Sequence, residues 1–213
     1  SGAYLVKANL NEDGTITGDL FAGASKIRTF RSLRNPNFSL PDPNSLTSLR
    51  NRDEQITFSF TNSEGKAIGP QMPAYAGKVV VLQVLGTWCP NCLDETAFLA
   101  EFHKKNRDRG FEVIGMGFER TAMPAKAYDN LRRLKKRFGA EYEMVFAGKP
   151  EEADVRAALP VMEKLVAFPT TLILDKTGRV RKVHTGFDGP ATGAAYTRYV
   201  AEFTATIESL LAE

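Results

Sequence analysis

The chain has 213 residues, 43% hydrophobic and 25% charged, so it can bury one good core and a small second unit. Its longest apolar run, 79–86, is far shorter than the roughly 20 residues that cross a bilayer, so no membrane helix is predicted. The net charge of +3 is spread along the chain, which argues against a nucleic-acid partner. Two cysteines three positions apart exclude a structural disulfide framework, and reactivity explains them better.

Alternating segments and turn residues predict a small β-rich unit and linker in residues 1–50. Polar and apolar residues alternate over 4–8 and 15–19 around a turn at 11–14, a pattern typical of a β-hairpin. A third strand is predicted over 26–33, followed by an irregular linker rich in proline and asparagine. Three short strands make a weak domain alone, so this unit either packs on the rest or ends a larger N-terminal domain, and we favour the second interpretation.

Strands and helices alternate in residues 51–213, which we interpret as a single α/β domain. A short strand near Phe58 and Phe60 precedes a β-branched, apolar run over 78–85 that is typical of a buried central strand. The remaining predicted elements are a helix to about 106, a strand over 111–118, a helix from Pro124, a strand over 143–146, a helical piece over 151–159, a hairpin of 170–175 and 180–185, and a helix from about 191. This order predicts a mixed central sheet flanked by helices.

Cys89 and Cys92 form a Cys-x-x-Cys motif between the buried strand and the following helix, which is typical of a redox pair. The positive end of the helix favours a thiolate at Cys89, and the thiolate is the nucleophile in disulfide exchange. One helical turn brings Cys92 within reach to resolve the mixed disulfide. The alternatives are half of a metal site or an inert thiol pair. Zinc is a poor candidate, because only His103 and His184 could complete four ligands, so we expect no metal.

The motif and its surroundings resemble the TlpA/ResA branch of the thioredoxin superfamily. The resemblance rests on Gly86-Thr-Trp-Cys-Pro-Asn-Cys92 with the trailing Glu95, on the segment 168–178, and on His184-Thr-Gly-Phe187. It covers about residues 55–213. The segment from Asp13 to Gly23 resembles, less closely, the β-rich N-terminal extension of some TlpA-like proteins of Gram-negative bacteria.

The resemblance implies a thioredoxin-like fold and a thiol:disulfide oxidoreductase of the periplasm or cell envelope of a Gram-negative bacterium. Such an enzyme reduces or exchanges the disulfides of client proteins, is recharged by a membrane thiol donor, and needs no cofactor beyond its cysteine pair. We expect a monomer with no nucleic-acid partner. Because the chain opens at Ser1 without a signal peptide or an initiator methionine, we expect a processed N-terminus, with any membrane anchor in a missing N-terminal region.

The resemblance also implies which residues shape the active site. Pro169 matches the cis-proline that lies against the cysteines in thioredoxin-like proteins, although X–Pro bonds are trans in most other contexts. Phe168 and Thr170, on either side of it, would offer backbone hydrogen bonds to a client peptide. Trp88 would shield one side of the nucleophile, with core packing as the alternative. Pro90, between the cysteines, belongs to an uncharged dipeptide, which predicts a reduction potential nearer the reducing end of the family.

Gln83 stands six residues before the first cysteine, where thioredoxin has a buried aspartate that accepts a proton. The proton must then be moved by another side chain or by water. The strands over 78–86 and 111–118 are expected to run parallel and to end at one edge, where Glu119 lies. We predict that Glu119 assists proton transfer at Cys92, with a solvated loop carboxylate as the alternative. Glu95 is interpreted as structural, because the helix dipole already favours an acid in a first turn.

Two other functions share parts of this pattern. Peroxiredoxin-type peroxide reduction uses the same fold, but Gly86 stands where a threonine is expected three residues before the peroxidatic cysteine. A metal-handling or client-binding module would use the cysteine pair without turnover.

The basic cluster at 132–137 surrounds an apolar stripe and is interpreted as a solvated helix face.

Overall fold

The computed structural model describes residues 4–22, 24–51 and 55–213. Ser1 and Gly23, which enter the predictions about the N-terminus and its resemblance, lie outside the described residues. The chain divides between Pro41 and Asp42 into two compact units. Within the described ranges, the helices are all too short or too polar to cross a bilayer.

The first unit is a three-stranded antiparallel sheet in the order β1 (Tyr4–Leu10), β2 (Ile16–Ala22) and β3 (Ser25–Ser32). The predicted hairpin and third strand are therefore confirmed. The turn between β1 and β2 uses Gly14 at φ 75°, a left-handed conformation that glycine adopts without strain. Asp13 supports the turn by accepting a hydrogen bond from the backbone N–H of Thr15 at 3.0 Å. That this unit ends a larger domain stays a prediction.

The second unit contains the remaining elements, here in chain order: α1 (Pro43–Leu46), β4 (Ser48–Leu49), β5 (Phe60–Thr61), β6 (Ala67–Ile68), β7 (Val79–Leu85), α2 (Pro90–Asn106), β8 (Phe111–Phe118), α3 (Pro124–Phe138), β9 (Glu143–Gly148), α4 (Glu152–Ala158), β10 (Met162–Lys164), β11 (Thr170–Leu174), β12 (Val180–Thr185) and α5 (Ala194–Ala212). Short 3-10 turns at Arg107–Arg109 and Pro190–Thr192 join some of them.

The central sheet has five strands in the order β12-β11-β7-β8-β9. Strands β7, β8 and β9 run parallel, whereas β11 is antiparallel to both of its neighbours. Every residue of β7 is buried, and its apolar side chains alternate between two apolar clusters on opposite faces of the sheet, whereas Gln83 is a buried polar residue. Helices α2, α3 and α5 pack into one of these clusters, and α4 packs into the other. The predicted mixed sheet flanked by helices is therefore confirmed.

Three local features differ from the sequence predictions. Segment 42–50, predicted as linker, packs within the second unit, where Leu49 of β4 pairs with Met162 of β10. These two strands are too short to give an alternating pattern. Phe58 is buried but precedes its predicted strand, which begins at Phe60. The last helix begins at Ala194 rather than near 191, because a 3-10 turn and Gly193 at φ 59° precede it.

Candidate active site

The redox motif begins where the buried strand β7 ends. Cys89 occupies the N-cap of α2 in an extended conformation, and Pro90 opens the first turn, where its fixed φ suits a helix start. The Cys89 sulfur accepts a hydrogen bond from the backbone N–H of Cys92 at 3.4 Å. Cys89, the predicted nucleophile, is therefore itself the helix cap, and the backbone N–H of Cys92 points towards its sulfur.

The pKa values of the two thiols are shifted in opposite directions. Both cysteines are free, and Cys89 is 7% exposed whereas Cys92 is fully buried. A hydrogen bond from the Cys92 side chain lowers the pKa of Cys89 to about 7, aided by backbone N–H groups and the charge of Arg120 and opposed by burial. Burial, followed by the contact with Cys89, raises the pKa of Cys92 well above its usual value. The arrangement therefore favours a thiolate at Cys89 and a protonated thiol at Cys92.

Behind Cys92 lies a buried polar cluster centred on Glu95, which is fully buried. The Thr171 hydroxyl donates to Glu95 Oε1 at 2.6 Å, and Gln83 Nε2 donates to Oε2 at 2.9 Å. Burial raises the pKa of Glu95 to about 7, although these two hydrogen bonds lower it. Thr96 completes the cluster by donating to the carbonyl of Cys92 at 2.8 Å. Glu95 is therefore a buried carboxyl with a pKa of about 7, three residues beyond Cys92 on α2.

Glu119 lies one residue beyond β8, at the predicted edge of the sheet, and is 2% exposed. Its carboxylate accepts hydrogen bonds from the Thr87 backbone N–H and hydroxyl, both at 2.8 Å, and from Asn130 Nδ2 at 3.0 Å. These contacts hold the loop between β7 and Cys89 against α3. Proton transfer by Glu119 stays a prediction, and its contacts favour a positioning role.

An aromatic wall stands beside Cys89. The Phe168–Pro169 bond is cis, as the resemblance implies, and the Phe168 carbonyl accepts from the Cys89 thiol at 3.6 Å. Trp88 meets the Phe168 ring edge-on, with their centres 5.4 Å apart, and its Nε1 donates to the Phe118 carbonyl at 2.9 Å. The structure thus brings Trp88, Phe168 and Pro169 together beside Cys89.

Thr170, the other predicted shaping residue, is fully buried at the start of β11, between β7 and β12. Its hydroxyl donates to the Ala167 carbonyl at 2.8 Å, which ties the loop before the cis bond to the sheet. A backbone contact between Thr170 and a client peptide stays a prediction.

Arg120 and Thr171 belong to the site but escaped the sequence predictions. The Arg120 guanidinium lies 4.3 Å from the centre of the Trp88 ring, in a cation–π contact. Arg120 follows Glu119, so its place at the predicted sheet edge was an available signal. Thr171 is a hydroxyl residue inside an otherwise apolar buried strand, and a buried hydroxyl needs a partner.

Gly86 lies tightly against the indole of Trp88. A Cβ at Gly86 would come 2.4 Å from Trp88 Nε1, so we expect Gly86→Ala to displace the ring, break its hydrogen bond and cost about 1–3 kcal/mol. Because Trp88 is the only tryptophan, its fluorescence reports the displacement directly. Gly189→Ala is the matched control, since its Cβ would approach no atom closer than 3.3 Å. Unchanged emission and unfolding midpoint in Gly86→Ala would contradict the expected clash.

Both histidines have other partners. His103 Nε2 lies 3.0 Å from a carboxylate oxygen of Glu112, and His184 in β12 lies with Nδ1 3.1 Å from Asn44 Oδ1. In the described parts of the chain, no three His, Cys, Asp or Glu side chains are grouped so that they could hold a metal ion.

Comparison with known proteins places this geometry in a family. Residues 36–198 match the redoxin family. The chain belongs to that family. It is 28% identical over 127 residues to the thiol-disulfide oxidoreductase ResA of Bacillus thuringiensis subsp. konkukian, covering 60% of this chain and 65% of that protein. It is 26% identical over 129 residues to ResA of Geobacillus thermodenitrificans, a match that covers 61% of this chain and 66% of that protein. The chain thus spans just under two thirds of the length of these curated relatives.

A solved structure confirms the predicted thioredoxin-like fold of this redoxin. The crystal structure of a thiol:disulfide interchange protein of the thioredoxin family from Chlorobium tepidum matches with a TM-score of 0.55 at 19% identity. The match covers 82% of this chain and 99% of that one.

Proposed function

We propose that this redoxin is a thiol:disulfide oxidoreductase that reduces or exchanges disulfides of client proteins through Cys89 and Cys92. The observation that carries the proposal is the pair of opposite acidities at a helix N-terminus, with the pKa of Cys89 lowered to about 7 and that of Cys92 raised. A pair built only for packing has no need of a stabilised thiolate. The names of the ResA relatives support the same activity.

The reduction proceeds in two exchanges. The Cys89 thiolate attacks one sulfur of the client disulfide, forming a mixed disulfide and releasing the other client sulfur as a thiolate. Cys92 then loses its proton, and its thiolate attacks the Cys89 sulfur. The second client thiolate leaves, both client thiolates take up protons, and a Cys89–Cys92 disulfide remains. Two electrons pass to the client, so the cysteine pair is the redox group and no other cofactor enters the cycle.

We propose that Glu95 is the general base that accepts the proton of the Cys92 thiol. A general base works best when its pKa is close to the operating pH, and the pKa of Glu95 is raised to about 7 by burial. Cys92 and Glu95 lie three positions apart on α2, where side chains share one face of a helix, and the pKa of Cys92 is raised by burial, by Cys89 and by the charge of Glu95. Glu119 then acts by fixing Thr87 and the loop that carries the nucleophile.

We further propose that the protein works in the cell envelope, outside the cytoplasm, where client disulfides persist. A Gram-negative origin, a membrane anchor, a membrane thiol donor and a monomeric state stay predictions.

The decisive test is turnover of insulin or of a disulfide peptide with a dithiol donor in metal-free buffer. We expect catalysis that stops when both cysteines are alkylated. Rapid consumption of hydrogen peroxide, with slow disulfide reduction, would favour a peroxide reductase instead. Tight stoichiometric metal binding without turnover would favour a metal-handling module.

The reduction potential of the pair is expected near the reducing end of the thioredoxin range. The pKa of Cys89 at about 7 equals the value of about 7 in thioredoxin rather than about 3.5 in the strong oxidant DsbA. A less stabilised thiolate favours the dithiol form less, so we expect a value closer to roughly −270 mV than to roughly −120 mV. Equilibration with dithiol–disulfide buffers followed by thiol alkylation measures it, and a value near the upper figure would overturn this prediction.

A further inference from the structure

The active-site helix has a cationic groove along one flank. The groove has a volume of about 260 Å³ and is lined by Thr87, Leu93, Asn130, Arg133, Leu134 and Arg137. Thr87 lies two residues before the nucleophile, and Leu93 directly follows Cys92. The other four lining residues lie on α3. Anything seated in the groove is therefore adjacent to the segment that exchanges disulfides.

The two groove arginines are exposed and carry unneutralised charge. Arg133 donates to the amide oxygen of Asn130, and the Arg137 guanidinium lies 5.1 Å from the ring centre of Phe138. In the described part of the chain neither forms an ion pair, whereas their neighbour Arg132 pairs with Asp129. Glu119, beneath the groove, is buried and already accepts hydrogen bonds from Thr87 and Asn130.

The opposite flank of the same helix differs in charge. There a groove of about 450 Å³ between α2 and α5 is lined by Asp94, Glu101 and a single cation, Lys105, among aromatic and apolar residues. Arg120, exposed over Trp88, adds a further cation close to Cys89. Positive charge is thus concentrated on the α3 side of the nucleophile.

We propose that the groove lined by Arg133 and Arg137 docks an acidic segment of the client protein and thereby sets which clients are reduced, an inference that rests on the proposed function. Guanidinium groups bind carboxylates with two parallel hydrogen bonds, so unpaired arginines are suited to Asp and Glu side chains. Charges at the rim of an interface steer encounter and fix orientation. The acidic flank on the other side of α2 repels the same segment, so the client binds in one direction across Cys89.

The test uses three peptides with one disulfide each, identical except for flanking residues that are acidic, neutral or basic. We expect kcat/KM for the acidic peptide to exceed that for the basic one by about fivefold, with the ratio falling at high salt. The double variant Arg133→Gln/Arg137→Gln should bring the ratio close to one, whereas Arg133→Lys/Arg137→Lys should retain most of it. The matched control is Lys164→Gln/Arg198→Gln, which removes two exposed charges outside the groove and should keep the wild-type ratio.

Several outcomes would overturn the docking proposal. Equal rates for the three peptides with wild-type protein, or a preserved ratio in the glutamine variant, would each contradict it. So would a single-stranded oligonucleotide that inhibits better than an acidic peptide of equal charge. The glutamine variant is judged by the ratio of its kcat/KM values for the acidic and basic peptides. If it folds poorly, its rate with the neutral peptide also falls. The ratio measured with the lysine variant then tests the proposal. Failure of the proposed function looks different, since wild-type protein would then reduce no peptide at all.

Discussion

Cys89→Ser is expected to lower the rate of disulfide reduction by about 10³-fold or more, since it removes the attacking sulfur. A serine hydroxyl does not form the anion at neutral pH, so no mixed disulfide can form.

Cys92→Ala is expected to fail at a later step. It retains the nucleophile but has no resolving thiol, so a mixed disulfide with the client should accumulate in one turnover. Non-reducing electrophoresis separates the two outcomes.

Substitutions of Cys92 also test why the pKa of Cys89 is lowered. The largest contribution to the lowered pKa of Cys89 is the hydrogen bond from the Cys92 side chain. Cys92→Ser retains a hydroxyl donor there, whereas Cys92→Ala does not. We therefore expect the pKa of Cys89, measured from the pH dependence of iodoacetamide alkylation, to rise more in the alanine variant than in the serine variant. Equal values in the two variants would show that the helix N-terminus, rather than the thiol, stabilises the anion.

The part of the site that the sequence predicts is the part built from neighbouring residues. Strand β7, the N-cap Cys89 and the first turn of α2 lie within one continuous segment, so apolar run, motif and helix start appear together. The edge position of Glu119 also follows from the sequence, because parallel strands end on one side of a sheet. The identification of Pro169 came from the resemblance rather than from spacing.

The remainder depends on contacts between distant parts of the chain. The prediction that Glu95 lies in the first turn of its helix is wrong, because α2 begins at Pro90 and Glu95 is its sixth residue. Glu95 is enclosed instead by Gln83 and by Thr171, which lies 76 residues further along the chain. Full burial, which determines its acidity, is therefore a tertiary property. Arg120 likewise acquires its role only through the position of the Trp88 ring. The short strands β4 and β10 stabilise each other by pairing, and neither carries a pattern of its own.

Glu95→Gln is expected to change both the stability of the protein and the rate of the proposed disulfide exchange. The pKa of Glu95 rises from 4.5 to about 7 in the folded state. Between these two values the unfolded chain has lost the proton and the folded chain still holds it, so the stability contributed by the protonated carboxyl is lost as pH rises. The loss is about 1.4 kcal/mol per pH unit and about 3 kcal/mol in all. Below pH 4.5 both states are protonated and there is no such loss.

A glutamine at this position stays neutral in both states, so the variant should lack this loss. Urea unfolding from pH 4.5 to 7.5 should show the variant gaining on the wild type by about 3 kcal/mol across the window. A constant difference between Glu95→Gln and wild type at every pH would mean that Glu95 is ionised in the fold.

Glu95→Gln should raise stability near neutral pH but lower the rate of disulfide reduction. Without the carboxylate, Cys92 must lose its proton to water, so the second exchange should slow by about 10²-fold. Formation of the mixed disulfide depends on the Cys89 thiolate and should slow far less. Rapid-mixing measurements that follow the release of each client thiol separate the two steps. Because Glu119→Gln loosens the loop at Thr87, it should affect the first exchange instead, and a selective defect of Glu119→Gln in the second exchange would move the proton role to Glu119.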